Sequence, residues 1–174
     1  DAIKYLLQQP DINAEIQDSG KMTPLFRALF LQNKEVMLIL RDHIKDLKDS
    51  SIIEKNSLVH IATEMNSPEF LEFLINDWKL DVNAEGCTND RTPLSLAILN
   101  SYCKSLEFLL SVPGRSIGKI KPISNYRGNR FPEIKKNVID ILKEHGNDVL
   151  EDFEKQKNIF LEEQEANREN QNHH

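Results

Sequence analysis

Three short segments of the chain share one pattern at nearly one spacing. "TPLFRA" starts at Thr23, "SLVHIA" at Ser57 and "TPLSLA" at Thr92, in steps of 34 and 35 residues. Seventeen residues after each start stands a leucine: Leu40, Leu74 and Leu109. The same series reaches back to Leu6, 34 before Leu40, and forward to Leu142, 33 after Leu109. A second pair obeys the period as well. "DINAE" at 11–15 and "DVNAE" at 81–85 begin 70 residues apart, which is two steps. A fixed period constrains the fold more tightly than composition does. Each period is one small unit that cannot bury its apolar faces alone, so neighbours must stack and bury them together.

Each unit has a physical reading. Thr23 and Thr92 suit a helix N-cap, and Pro24 and Pro93 follow at the first helical position, where no amide hydrogen is needed. Ser57 caps in the same way, with Leu58 in place of the proline. Ala28, Ala62 and Ala97 fall at one position in the three short helices, where a small side chain lets a neighbouring helix approach. A second helical run follows in each unit: "KEVMLILRDH", "PEFLEFLINDW" and "KSLEFLLS", with apolar residues at helical spacing. The pentapeptides fall in the polar turns after such runs. The pattern predicts an all-α solenoid of stacked helix-turn-helix units.

As a set these segments resemble the ankyrin repeat family, whose pattern runs T-P-L-H-x-A, a leucine-rich second helix, then G-A-D-V-N-A. The first part is met by the three segments above, and the last by "PDINA", "LDVNA" and "GNDVLE" (146–151). The resemblance covers roughly residues 1–150 and implies an ankyrin-type solenoid with β-turn or hairpin fingers. It implies a partial first repeat at 1–17, repeats near 18–50, 51–86 and 87–111, and a degenerate repeat at 112–150. A C-terminal capping helix is expected over 151–174, with disorder beyond about Glu165. His60 stands at the family's histidine position, which implies a structural bond between neighbouring turns. The chain departs from the family in three places. It opens inside a second helix, so further upstream residues are expected. Its fingers are longer than the pattern. The first helix of the fourth full unit is replaced by "VPGRSIGKIKPISNYRGNRFP" (112–132), read as a remodelled connection or a degenerate end unit.

Charge divides the chain. The net charge is −6. Residues 112–136 nevertheless carry seven basic side chains and one acid, Glu133, between two acidic segments. Such a patch suits an anionic partner or pairing with acidic neighbours. Its candidates are Arg115, Lys119, Lys121, Arg127 and Arg130. Nucleic acid would draw on these with Tyr126 and Phe131 as stacking aromatics, but the acidic remainder repels phosphate. No apolar run is long enough for a membrane span.

Catalytic chemistry finds no constellation. Cys87 and Cys103 lack a histidine nearby in sequence and lack metal-ligand spacing, which favours a reducing setting. His43 and His145 lie at ends of second helices, where a cation suits the dipole. "GRSIGKI" (114–120) fails as a phosphate loop, because its glycine spacing is one residue short and Ile120 stands where Ser or Thr is needed. No cofactor, metal or catalytic residue is assigned. The origin of His173 and His174, as a tag or as native sequence, is left open.

The resemblance implies a protein-binding module, an adaptor without catalysis of its own. Its contact residues would be the variable pairs seven and eight positions after each start: Phe30 and Leu31, Glu64 and Met65, Leu99 and Asn100. Finger residues Ser19, Met22, Glu54, Asn56, Asn89 and Arg91 would form a polar rim. An apolar strip at solvent-facing positions suits a binding hot spot, and packing beneath the fingers is the competing reading. Two alternatives are a substrate-recruiting arm of a larger enzyme and a secreted effector working in a host cytosol, the latter suggested by a composition rich in Ile, Asn and Lys. The expected location is cytoplasmic.

Overall fold

The computed structural model describes residues 2–47, 52–53, 56–86, 90–125 and 128–172. Helix α1 (Ala2–Leu7) is followed by a turn-rich segment that holds "DINAE". Three helix pairs come next: α2 (Pro24–Phe30) with α3 (Lys34–Arg41), α4 (Leu58–Glu64) with α5 (Pro68–Glu72), and α6 (Pro93–Asn100) with α7 (Cys103–Ser111). Helix α5 runs on as a π-helical turn over Phe73–Asp77. The strands are two antiparallel ribbons: β1 (Ile52–Ile53) with β2 (Asn56–Ser57), and β3 (Ile123–Asn125) with β4 (Gly128–Arg130). Helices α8 (Lys136–His145) and α9 (Asn147–Asn172) close the described chain.

The pairs stack as layers, giving an all-α repeat fold. Helix α2 packs on α4 and α4 on α6, while α5 packs on α7 and α7 on α8. The periodic residues form the shared core. Ala28, Ala62 and Ala97 are buried between the first helices, and Leu40, Leu74, Leu109 and Leu142 are buried along the second. Each such leucine contributes roughly 1.5–3 kcal/mol by leaving water. Leu6 has the same place in the series but lies at the outer edge of the stack, half exposed at 51%.

Apolar contact is non-directional, and polar links tie the layers in register. Ser57 Oγ accepts the His60 amide, and the His60 ring spans to the next layer with Nδ1 2.8 Å from Ser57 Oγ and Nε2 2.8 Å from Arg91 O. A carbonyl only accepts, so Nε2 carries the proton and Nδ1 accepts from the serine hydroxyl. Burial lowers the His60 pKa from its ordinary value of 6.5, which suits this neutral form, while the bond to Arg91 O opposes the shift. Ser105 Oγ donates to Thr63 O, and the Ser105 amide donates to Asn66 Oδ1, each at 3.0 Å. Asn83 of "DVNAE" donates to Gly114 O and accepts from the Ser116 amide, both at 2.8 Å. The pentapeptide thus carries a side chain that fastens one layer to the next. Thr92 caps α6 by accepting from the Ser95 amide, and its hydroxyl donates to Ser116 O. Thr23 has the extended cap backbone, but its hydroxyl makes no cap bond; among the described residues it is buried without a partner.

Among the described residues, the fourth layer has no first helix. Its place is taken by the connection from 112 to 132, whose Ile117, Ile120 and Phe131 are buried. Phe131 meets Phe153 edge-on at 5.3 Å and Phe160 at 5.9 Å, both from α9. Gln156 of α9 accepts the Ile120 amide at 2.8 Å and donates to Gly118 O at 2.9 Å. "GRSIGKI" is therefore a packing element that turns two isoleucines inward. Between α8 and α9, a Cβ on Gly146 would lie 2.5 Å from Leu110 Cδ2, so a larger residue there would require the Leu110 side chain to shift. The stretch after Glu165, expected to be disordered, is helical through Asn172 in the structure. Its Ala166, Arg168, Glu169 and Gln171 are good helix formers, interspersed with three asparagines that are not.

Candidate protein-binding surface

The six positions named from the repeat pattern lie at the ends of the first helices or just beyond them. Because α2, α4 and α6 stack in order, the positions form two rows across the layers. One row reads Phe30, Glu64, Leu99; the other reads Leu31, Met65, Asn100. The pairs end at Gln32, Asn66 and Ser101, whose positive φ values of 53°, 52° and 61° turn the chain into the second helices. The rows are unevenly exposed. Phe30 and Leu31 are 49% and 77% exposed, and Glu64 and Asn100 also face solvent. Met65 and Leu99 are half-buried and pack against the core, so the apolar strip is strongest at the α2 end.

The charges along the strip are few. Arg27 of α2 donates to Asp18 Oδ2 from Nε at 2.8 Å and from Nη2 at 2.5 Å. Asp18 Oδ1 accepts the Gly20 and Met22 amides. The Met22 amide first, then Arg27, holds the Asp18 carboxyl below its ordinary pKa. Helix α6 carries no charged side chain. Glu64 has its pKa raised by desolvation among its neighbours.

The remaining candidates are more scattered. Ser19 is exposed; Met22 is half-buried against the core; Arg91 is half-buried and gives its carbonyl to His60. Asn56 is placed by its backbone in β2. Glu54, Asn89 and Arg127 lie outside the described residues, as do Cys87, Tyr126, His173 and His174. The basic segment is partly engaged within the chain. Arg115 pairs with Asp148 in the first turn of α9 at 3.1 Å, and Lys121 pairs with Asp90. Lys119 and Arg130 are exposed. Among the described residues, no group of three His, Cys, Asp or Glu side chains could hold a metal ion.

A family model of ankyrin repeats, in three copies, matches residues 37–120. Residues 37–120 are ankyrin repeats. A comparison with curated proteins returned no match to the chain. The matched stretch contains Ser57, His60 and Thr92, of which His60 and Thr92 make the bonds to the following layer described above. It includes Glu64, Met65, Leu99 and Asn100, while Phe30 and Leu31 precede it. Ankyrin repeats are in general protein-interaction modules. No described helix is long and apolar enough to cross a membrane.

The chain also carries, ahead of the matched repeats, a surface that the spacing did not point to. Leu31 lines a groove of about 420 Å³ together with Ile3, Leu6, Ile12 and Val36. Its sequence signal is the helical spacing of apolar residues in "AIKYLL", with Ile12 in the following turn. That spacing is indistinguishable from a core face until the layers are placed.

Proposed function

We propose that this ankyrin array is a protein–protein interaction module, an adaptor that binds a partner protein through the strip along its first helices and the adjoining finger residues. Catalysis is not assigned to it. The observation that carries the reading is the exposure of Phe30 and Leu31, two large apolar side chains side by side at the family's variable pair. Buried apolar anchors of this kind supply most of the energy of typical protein interfaces. Met65 and Leu99 would extend the contact, with Glu64, Asn100 and Ser19 as polar neighbours. Lys119 and Arg130 would add an anion-seeking patch at the other end.

The test uses Phe30→Ser with Leu31→Ser, since exposed side chains can be changed with little effect on folding. Affinity capture with the chain as bait, followed by mass spectrometry, is run for wild type and variant. The expected result is unchanged helical content, a midpoint within about 2 °C of wild type, and loss of a specific partner. A variant that unfolds would place these side chains in the core and sink the reading. So would capture that is identical for the two proteins.

A further inference from the structure

The row Phe30, Glu64, Leu99 sets one carboxylate between two apolar side chains on successive helices. The Glu64 carboxylate has no ion pair or hydrogen bond among the described residues. The first helices on either side, α2 and α6, supply one charged side chain, Arg27, which Asp18 already holds at two points. Its charge is therefore uncompensated at the centre of the strip. Packed helices lie about 8–10 Å apart, so each step along the row is of that order. An extended strand advances about 3.3 Å per residue, and three residues span the same distance.

Resting on the binding role proposed above, we infer that the strip receives an extended segment of its partner with a lysine or arginine opposite Glu64 and apolar residues three positions before and three after it. The cation replaces the water that neighbouring side chains have partly removed from the carboxylate, and the flanking residues cover Phe30 and Leu99. The raised pKa of Glu64 agrees with this, since desolvation without a cation favours the neutral acid and a bound cation would favour the charged one. An acidic or wholly apolar segment would leave the carboxylate buried and unpaired, which is costly.

A phage-displayed library of random 12-residue peptides, panned against the whole chain, tests this. Enriched sequences are expected to share a basic residue flanked at three-residue spacing by apolar ones. The best peptide, made synthetically, should bind Glu64→Gln about tenfold more weakly, bind Glu64→Lys more weakly still, and lose affinity as salt rises. Circular dichroism checks that both variants remain folded. Absence of enrichment, enriched peptides without a basic residue, or equal affinity for Glu64→Gln would overturn the inference. Binding lost with Phe30→Ser and Leu31→Ser but kept with Glu64→Gln sinks this inference and leaves the strip as the binding face. Binding indifferent to all these variants sinks both.

Discussion

Gly86 and His60 face each other across the junction of the second and third layers, and replacing Gly86 tests that packing directly. A Cβ built on Gly86 would lie 2.5 Å from His60 Nε2, 2.7 Å from its Cδ2 and 3.1 Å from Arg91 O. The ring cannot step aside, because it is buried and held at both nitrogens, by Ser57 and by Arg91 O. Gly86→Ala should therefore cost about 2 kcal/mol as an overpacking change, lowering the midpoint by about 4–8 °C. His60→Ala removes two hydrogen bonds, at about 1 kcal/mol each, and leaves a cavity, for a total of about 3 kcal/mol. In the double variant the new methyl enters the space the ring vacated. The combined loss should then be near 3 kcal/mol rather than 5, a coupling of about 2 kcal/mol. Urea unfolding of the four proteins, followed by circular dichroism, gives the cycle. Additive losses, or a Gly86→Ala protein as stable as wild type, would show that the ring does not stand where this argument needs it.

Lys79 and Gln32 hold left-handed backbone, with φ of 58° and 53°. Replacing each with glycine should raise stability by about 0.5–1 kcal/mol, the relief of strain less the added freedom of the unfolded chain, read from urea midpoints. His60 has a folded pKa below its ordinary 6.5, so the unfolded state takes up its proton first as pH falls. Its contribution is intact above about pH 6.5 and is lost progressively below it. The acid-side slope of stability against pH should be shallower in His60→Ala. Gln156→Ala removes both bonds that hold 118–120 to α9 and leaves the Ile120 amide short of an acceptor. It should cost about 2 kcal/mol and speed amide exchange of Ile120.

The layered fold was legible because its determinants recur. Thr or Ser at the cap, alanine at the close approach and leucine seventeen residues on are each set by one local need, and the period repeats that need. The hidden parts are those where the chain meets a requirement with unusual residues. Lys21, Gln32, Asn66, Lys79, Asp90 and Ser101 hold positive φ where glycine is the usual residue, so the usual punctuation of the turns is missing. The fourth layer draws its core from Ile117, Ile120 and Phe131 in irregular backbone, where no period exists to read. The proposed strip can be counted off from the caps, but its relief cannot. Met65 and Leu99 sit lower than Phe30 and Leu31 because they pack against the core, a property of the stack rather than of the unit.

The junctions differ in what holds them, and that difference bears on the strip. Between the second and third layers stand His60 with Arg91, and Ser105 with Thr63 and Asn66. Between the third and fourth stand Thr92 with Ser116, and Asn83 with Gly114 and Ser116. At the first junction, Phe26 occupies the place of His60, and Thr23 has a buried hydroxyl that finds no partner among the described residues. Among the described residues, apolar contact joins α2 and α3 to the next layer there, with Lys34 Nζ set 4.5 Å from the centre of the Phe73 ring. A cation over an aromatic face and oily side chains constrain orientation less than a hydrogen bond between fixed groups does. Among the described residues, the layer that carries the exposed pair Phe30 and Leu31 is thus joined to the next mainly by apolar contact. A partner that covers those anchors would at the same time tie that layer to the next, through Met65 and Glu64.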